Sequence, residues 1–482
     1  MLWAKVSTLS KNNTLKESIA TCSICIRVVK KALLDLVFGI RPYAGFPRAP
    51  RFNRHLPGDR MNRTALKTLP ALLLALASAS AMADPMYPSD AEGFHGYLRA
   101  GAGSNTSGDG GSQGCFGLGG NTMKYRLGNE CDAYTEFGYT KSVAQSGGVN
   151  YLATIWVNAY APNSDFGDNK LGIVKAYVEA QGLDFLNGGT AWIGKRFYYR
   201  PDIHMLDLQY INMNGTGAGL DRIPAGPGKF SYAFFKDNDI NTVSKTGVVS
   251  TKSAVRQNFI YGEIPVNENG TLDLAATYII GEGKDNDAFG QKHNGWQLSA
   301  FHRQAKVFGG GNTFGVQYGV GPGTGKGAQF GASGDTNFGS DVKRTRIFND
   351  MAIQPMANFG MEFVALWQKD ESNATGSSTW TSVGVRPVYA FTNNFKLVGE
   401  LGTDRVTQAG GLPAKRLTKL TIAPTISAGP GLWSRPELRA FVTYGKWNDA
   451  ATASVNAANN GGPIYNNNTS GTSYGFQVET WF

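Results

Sequence analysis

The final nine residues, Tyr474-Gly475-Phe476-Gln477-Val478-Glu479-Thr480-Trp481-Phe482, alternate between two chemistries. Even positions carry Tyr, Phe, Val, Thr and Phe; odd positions carry Gly, Gln, Glu and Trp. Successive side chains of a strand point to opposite faces, so one face is greasy and the other mostly polar. As the edge of a soluble sheet, such a strand would invite pairing with another chain. Closing a barrel in lipid removes that edge and seats the apolar face in hydrocarbon. The expected fold is therefore all-β, a transmembrane antiparallel barrel.

A second constraint lies upstream. From Met61 the chain reads MNRTALKTLPALLLALASASAMA. Arg63 and Lys67 form a basic start, Leu69 to Ala77 an apolar run, and Ala81-Met82-Ala83 a small-residue cleavage box. This is the pattern of a secretory signal peptide, with cleavage expected before Asp84. The run is too short for a spanning helix, which needs about 20 apolar residues. Residues 1–60 are read as an over-long gene start, with Met61 the initiator. Their Cys22-Ser23-Ile24-Cys25 has CxxC spacing but no second cysteine pair or histidine pair at zinc spacing.

The formal charge of +10 belongs to this leader. Residues 1–83 hold 13 basic and 3 acidic side chains, leaving 33 of each in residues 84–482. The basic pI thus gives no reason to expect a nucleic-acid partner. The exported part keeps Cys115 and Cys131, and an even pair in an oxidising compartment is expected to form one disulfide.

Short alternating runs recur through residues 84–482, separated by Gly/Asn/Asp clusters. Phe94 to Ala100 and Leu438 to Tyr444 both alternate, with Phe441 an exception on the polar face. At about 22 residues per strand and its share of loop, the chain has room for roughly 16 to 18 strands, enough to enclose an aqueous lumen. Polar stretches 161–170, 285–294 and 450–471 suit extracellular loops, some able to fold inward. A two-domain secreted protein is the competing architecture.

Catalytic and metal signatures are missing. Gly321 to Gly327 resembles a phosphate loop but has Val320 in place of the first glycine and Gly327 after the lysine. The five histidines are scattered, no G-x-S-x-G elbow occurs, and neither cofactor nor metal is implied. His204 and Asp207 are the one pair a barrel hydrolase could use. The densest polar group is GKRFYYRPDIHMLD at 194–207, where Arg200, Asp202 and His204 share a parity and Asp207 follows a turn. Mixed charges in a water-filled space can trade hydrogen bonds with sugar hydroxyls; an internal ion-pair network pinning a loop to the wall is the alternative.

That stretch, with Phe94-His95-Gly96-Tyr97, Lys124 to Cys131, Gly384-Val385-Arg386-Pro387, Trp433-Ser434-Arg435-Pro436 and Tyr444 to Trp447, resembles the maltoporins in order along the chain. The resemblance implies a homotrimer of 18-stranded barrels in outer-membrane lipid that passes malto-oligosaccharides by facilitated diffusion. It implies an aromatic slide of Tyr97, Tyr134, Trp380 and Trp481, with Phe166 as the aromatic lent by a neighbouring subunit. Beside it would run a polar track of Arg99, Arg126, Lys175, Arg200, Asp202, His204 and Asp207. A first-loop disulfide between Cys115 and Cys131 fits as well. Three positions depart: the family's constricting tyrosine aligns with Gln209, an aspartate with Asn212, and a slide aromatic with Leu298. These leave a broader or sucrose-type carbohydrate porin as an alternative.

Overall fold

The computed structural model describes residues 90–106, 111–162, 171–243, 249–282, 292–459 and 462–482, with the side chains of 239–252 excepted. The expected leader (1–60 and 61–83) and Phe166 lie outside the described residues. Eighteen antiparallel strands form one sheet, the upper end of the expected range. Ser470–Trp481 pairs back onto Gly93–Asn105, so the sheet is closed. The seam is completed by Phe482, whose N–H donates to Gly96 O (3.1 Å) while its own carbonyl accepts from Gly96 N (3.0 Å). Every strand then has two neighbours, which is what hydrocarbon demands of a sheet.

The parity of the last strand holds. Tyr474, Phe476 and Phe482 are exposed, whereas Ser473, Gln477 and Glu479 are buried inside the ring. The same alternation runs around the barrel, with Ile155, Ile193, Leu274, Leu401 and Leu438 on the outside. Leu298 requires a correction. It is 55% exposed beside Trp296 on the outer face, while Gln297 and Ser299 point inward, so it occupies no slide position.

The two rims differ. One carries short turns, such as that between Ser146 and Val149; the other carries most of the long loops, as expected of outer-membrane barrels with extracellular loops. Of the segments expected to be loops, 450–471 is partly helical: α1 spans Asp449–Ala457 and buries Ala451 and Val455. These pack with Phe116, Trp447 and Tyr465, so a small apolar core and not loop polarity decides the local structure.

Three segments enter the lumen from the long-loop rim. The first, 113–131, is closed by the Cys115–Cys131 disulfide (S–S 2.05 Å). Its Tyr125 lies flat on the wall because Gly384 and Gly402 leave room; a Cβ at either would stand 2.2 Å from the ring. Its Leu127 packs on Phe441, Val388, Val398 and Leu432, which explains the aromatic on the otherwise polar inner face. The second, 197–214, holds a miniature hairpin in which Asp202–Ile203 pairs with Leu208–Gln209. Between them a single 3-10 turn, His204–Leu206, ends at Asp207 in left-handed conformation (φ 55°), the expected turn. Its apolar side (Ile203, Met205, Leu206, Leu208) joins a core with Phe301, Phe348 and Val364 of the wall. The third, 321–342, contains the glycine-rich stretch and is bridged to the second by Ile211 and Phe330.

Candidate functional site

Three rings of the expected slide come together. Tyr97 lies directly opposite Trp481 across the seam, and its ring is 6.1 Å from that of Tyr134 on the next strand. All three are half-buried on the inner face. Their polar ends are committed: Tyr97 Oη donates to Glu479 (3.0 Å) and accepts from Arg126 (2.8 Å), and Tyr134 Oη donates to Glu136 (2.6 Å). Arg435 sits 4.3 Å from the centre of Trp481, an attraction of ring quadrupole for cation. Trp380 does not join this line. It lies four strands away, is only 3% exposed, bonds Asp404 through Nε1 (2.8 Å) and belongs to a buried cluster shared with Tyr125 of the first loop.

The expected polar track divides into two kinds of residue. Arg99, Arg126 and Lys175 are buried in ion pairs: Arg99 with Glu130 (2.6 Å) and Asp132 (2.8 Å), Arg126 with Glu130 (2.9 Å) and Glu479 (2.8 Å), Lys175 with Asp90 (2.5 Å). Arg200, Asp202, His204, Asp207 and Gln209 keep some exposure to the bore. Arg200 stacks 3.6 Å above Phe197, which also lies 5.0 Å from Lys175. Lys175 in turn stands 3.5 Å over Trp156. Phe197, Trp156 and Asp90 were not foreseen as parts of the site; the inward parity of Trp156 with Asn158 was the available signal.

The hairpin charges are tuned by position. Burial, reinforced by Arg126, pushes His204 down to about 3, so the ring is neutral. Its Nδ1 is 2.8 Å from Arg386, and its edge meets Trp433 at 5.1 Å. Burial works to raise Asp207, but Arg126 and Arg99 outweigh it and hold the carboxyl below its usual range. Asp202 behaves oppositely: confinement lifts it to about 6 against the pull of Arg126. Among the described residues, His204 contacts Arg386 and Glu479 while Asp207 lies near Arg99 and Arg126, and no hydrogen bond joins the two side chains. The hairpin is anchored from below, where Met205 N donates to Glu362 (2.8 Å) and Arg386 bridges Glu362 (3.2 Å) and Glu400. Within 194–207 some charges thus pin the loop, while others keep exposed surface.

A barrel closed by its own last residue, with an inward hairpin and rings on its inner face, is the context in which sequence kinship can be assessed. A family model described as LamB porin matches residues 93–482. The chain belongs to the LamB porin family. It is a porin of the Gram-negative outer membrane. Solved structures similar to this LamB-family chain include OprD of Pseudomonas aeruginosa, at 9% identity over 81% of this chain and 94% of that chain, with TM-score 0.45. DcaP of Acinetobacter baumannii matches at 11% identity over 82% and 99%, with TM-score 0.44. OmpT of Vibrio cholerae, in its trimer form, matches at 8% identity over 81% and 98%, with TM-score 0.37.

Proposed function

We propose that this porin passes maltose and linear malto-oligosaccharides by facilitated diffusion, the sugar's apolar face sliding over Trp481, Tyr97 and Tyr134. The observation that carries this reading is the contiguity of those rings, half-buried on three neighbouring strands beside a charged hairpin. Aromatic side chains in a water-filled bore gain little unless something stacks on them, and a pyranose has one apolar face and a rim of hydroxyls. Arg200, Asp202 and Asp207 supply exchangeable hydrogen bonds along that rim. Each contact has to be modest, since conduction needs sites favourable enough to enter and weak enough to leave.

The decisive experiment is single-channel recording in planar bilayers. Maltotriose is expected to block ion current reversibly, and Trp481→Ala to weaken the block by roughly 5- to 30-fold, the worth of about 1–2 kcal/mol of ring contact. Current indifferent to millimolar maltotriose sinks the reading. Gln209 and Asn212, in place of a ring and a carboxylate, favour a second reading, a broader or sucrose-type porin; stronger block by sucrose than by maltotriose would select it. On the same family ground we read the assembly as a homotrimer, with Phe166 lent to a neighbouring bore. Residues 61–83 are read as the signal peptide, and amino-terminal sequencing of exported protein is expected to begin at Asp84.

A further inference from the structure

The two departures at Gln209 and Asn212 are joined by a third amide that sequence comparison did not single out. Asn212 Nδ2 donates both to Gln209 Oε1 (2.5 Å) and to Gln329 Oε1 (3.2 Å), and Gln329 Nε2 donates to Gln209 Oε1 (3.2 Å). Gln329 comes from the third inward segment, so the triangle ties two loops together beside the backbone bond from Asn212 N to Phe330 O (2.7 Å). Its position is fixed. Lys326 and Gln329 close a tight hairpin, with Gly325 and Gly327 at positive φ (87° and 58°). Arg344 donates to the carbonyls of Thr324 (2.9 Å) and Gly327 (2.5 Å), and Arg346 to that of Ala328.

The hydrogen-bond balance of the triangle is one-sided. Gln209 Oε1 accepts twice, Gln329 Oε1 once, and Asn212 Oδ1 is taken by Asn214 N (3.0 Å). Among the described residues, Gln209 Nε2 has no partner, and Gln329 Nε2 uses one of its two hydrogens. The cluster therefore spends its acceptors internally and keeps N–H donors to offer. Asn212 and Gln329 line a cavity of ≈ 940 Å³, and Gln209 lies opposite the bore-exposed Asp202 in the miniature hairpin. The cluster thus joins the wall of that cavity to the hairpin.

We propose that Gln329 is a specificity-determining residue, completing with Gln209 and Asn212 an uncharged donor cluster that reads acceptor oxygens of neutral sugars as they pass the hairpin. The proposal deepens the sugar-porin reading and rests on it. An amide triangle imposes no net charge on passing ions, and it lacks the bulk of the aligned tyrosine. It thus favours hydroxylated solutes over apolar ones and admits wider sugars.

The test is bilayer recording with maltotriose and sucrose as probes on the unsubstituted protein, Gln329→Ala and Gln329→Glu. The half-blocking concentration of the better blocker is expected to rise roughly 2- to 10-fold in Gln329→Ala, the range of one neutral hydrogen bond, with ion conductance unchanged or raised. The near-isosteric Gln329→Glu is expected to shift the reversal potential in a KCl gradient toward cation preference, a response that a purely structural amide remote from the bore would not give. An unchanged half-blocking concentration in Gln329→Ala, or an unmoved reversal potential in Gln329→Glu, overturns the inference while leaving the sugar reading intact. Absence of block in the unsubstituted protein instead sinks the sugar reading, and the recognition role with it.

Discussion

Asp202 is exposed to the bore yet hemmed in by charge from three directions. Arg126 of the first loop, Arg200 and Asp207 of its own segment, and Asp350 and Glu362 of the wall all act on it or are acted on by it. Confinement raises its carboxyl to about 6, so the group is ionised above that pH and neutral below it. Cation preference is therefore expected to fall as pH drops through about 6, and Asp202→Asn to flatten that dependence. Reversal potentials measured across a pH series decide it; a midpoint that Asp202→Asn does not move assigns the titration elsewhere. His204, held neutral down to about 3, adds nothing in that window. Individual side chains were legible in the sequence where parity alone decides their face. Trp481 and Tyr97 followed that rule. Leu298 also obeys it, since Trp296-Gln297-Leu298-Ser299 alternates cleanly, and alignment to a slide position misplaced it. Trp380 has the correct inward parity, but it is buried in a cluster that also contains Tyr125, more than 250 residues distant, which local pattern cannot reveal.

Among the elements, the inward segment 197–214 depends most on its anchor. Arg386 holds Glu362 and Glu400 below it, with 6% of its own side chain exposed, and Glu362 in turn holds Met205 N. Removing one partner of a buried pair typically costs about 3–5 kcal/mol, because the other charge is left uncompensated. Arg386→Ala is accordingly expected to loosen the segment, seen as higher and noisier single-channel conductance with the barrel's circular dichroism retained. Quiet openings of unchanged size would show that Ile203, Leu206 and Leu208 hold the segment alone. Sequence pattern marked this element through its dense charges and its turn at Asp207. The segment 321–342 was harder to read, because its glycines match no motif with a defined structural role. Their use is a tight turn that carries Gln329 inward, and its arginine supports, Arg344 and Arg346, come from the following strand.

At the scale of the whole molecule, closure in lipid was the most legible property because it acts on every strand with the same period of two. Phe476, mid-strand and 66% exposed, lies on the outer face of the barrel. Phe476→Arg is expected to destabilise the barrel by about 2–4 kcal/mol if it lies near the bilayer midplane, measurable by denaturant unfolding from vesicles; a cost near zero would place that strand face outside the hydrocarbon. What period two cannot convey is how the lumen is filled, since that depends on loops entering from opposite rims. His204, hung from the rim of long loops, meets Trp433, which rises from the connection between Ser427 and Glu437 at the other rim. Such bracing resembles an arch held at both abutments: a protease that trims only the outward crowns of the loops would leave the size cut-off for small solutes where it was.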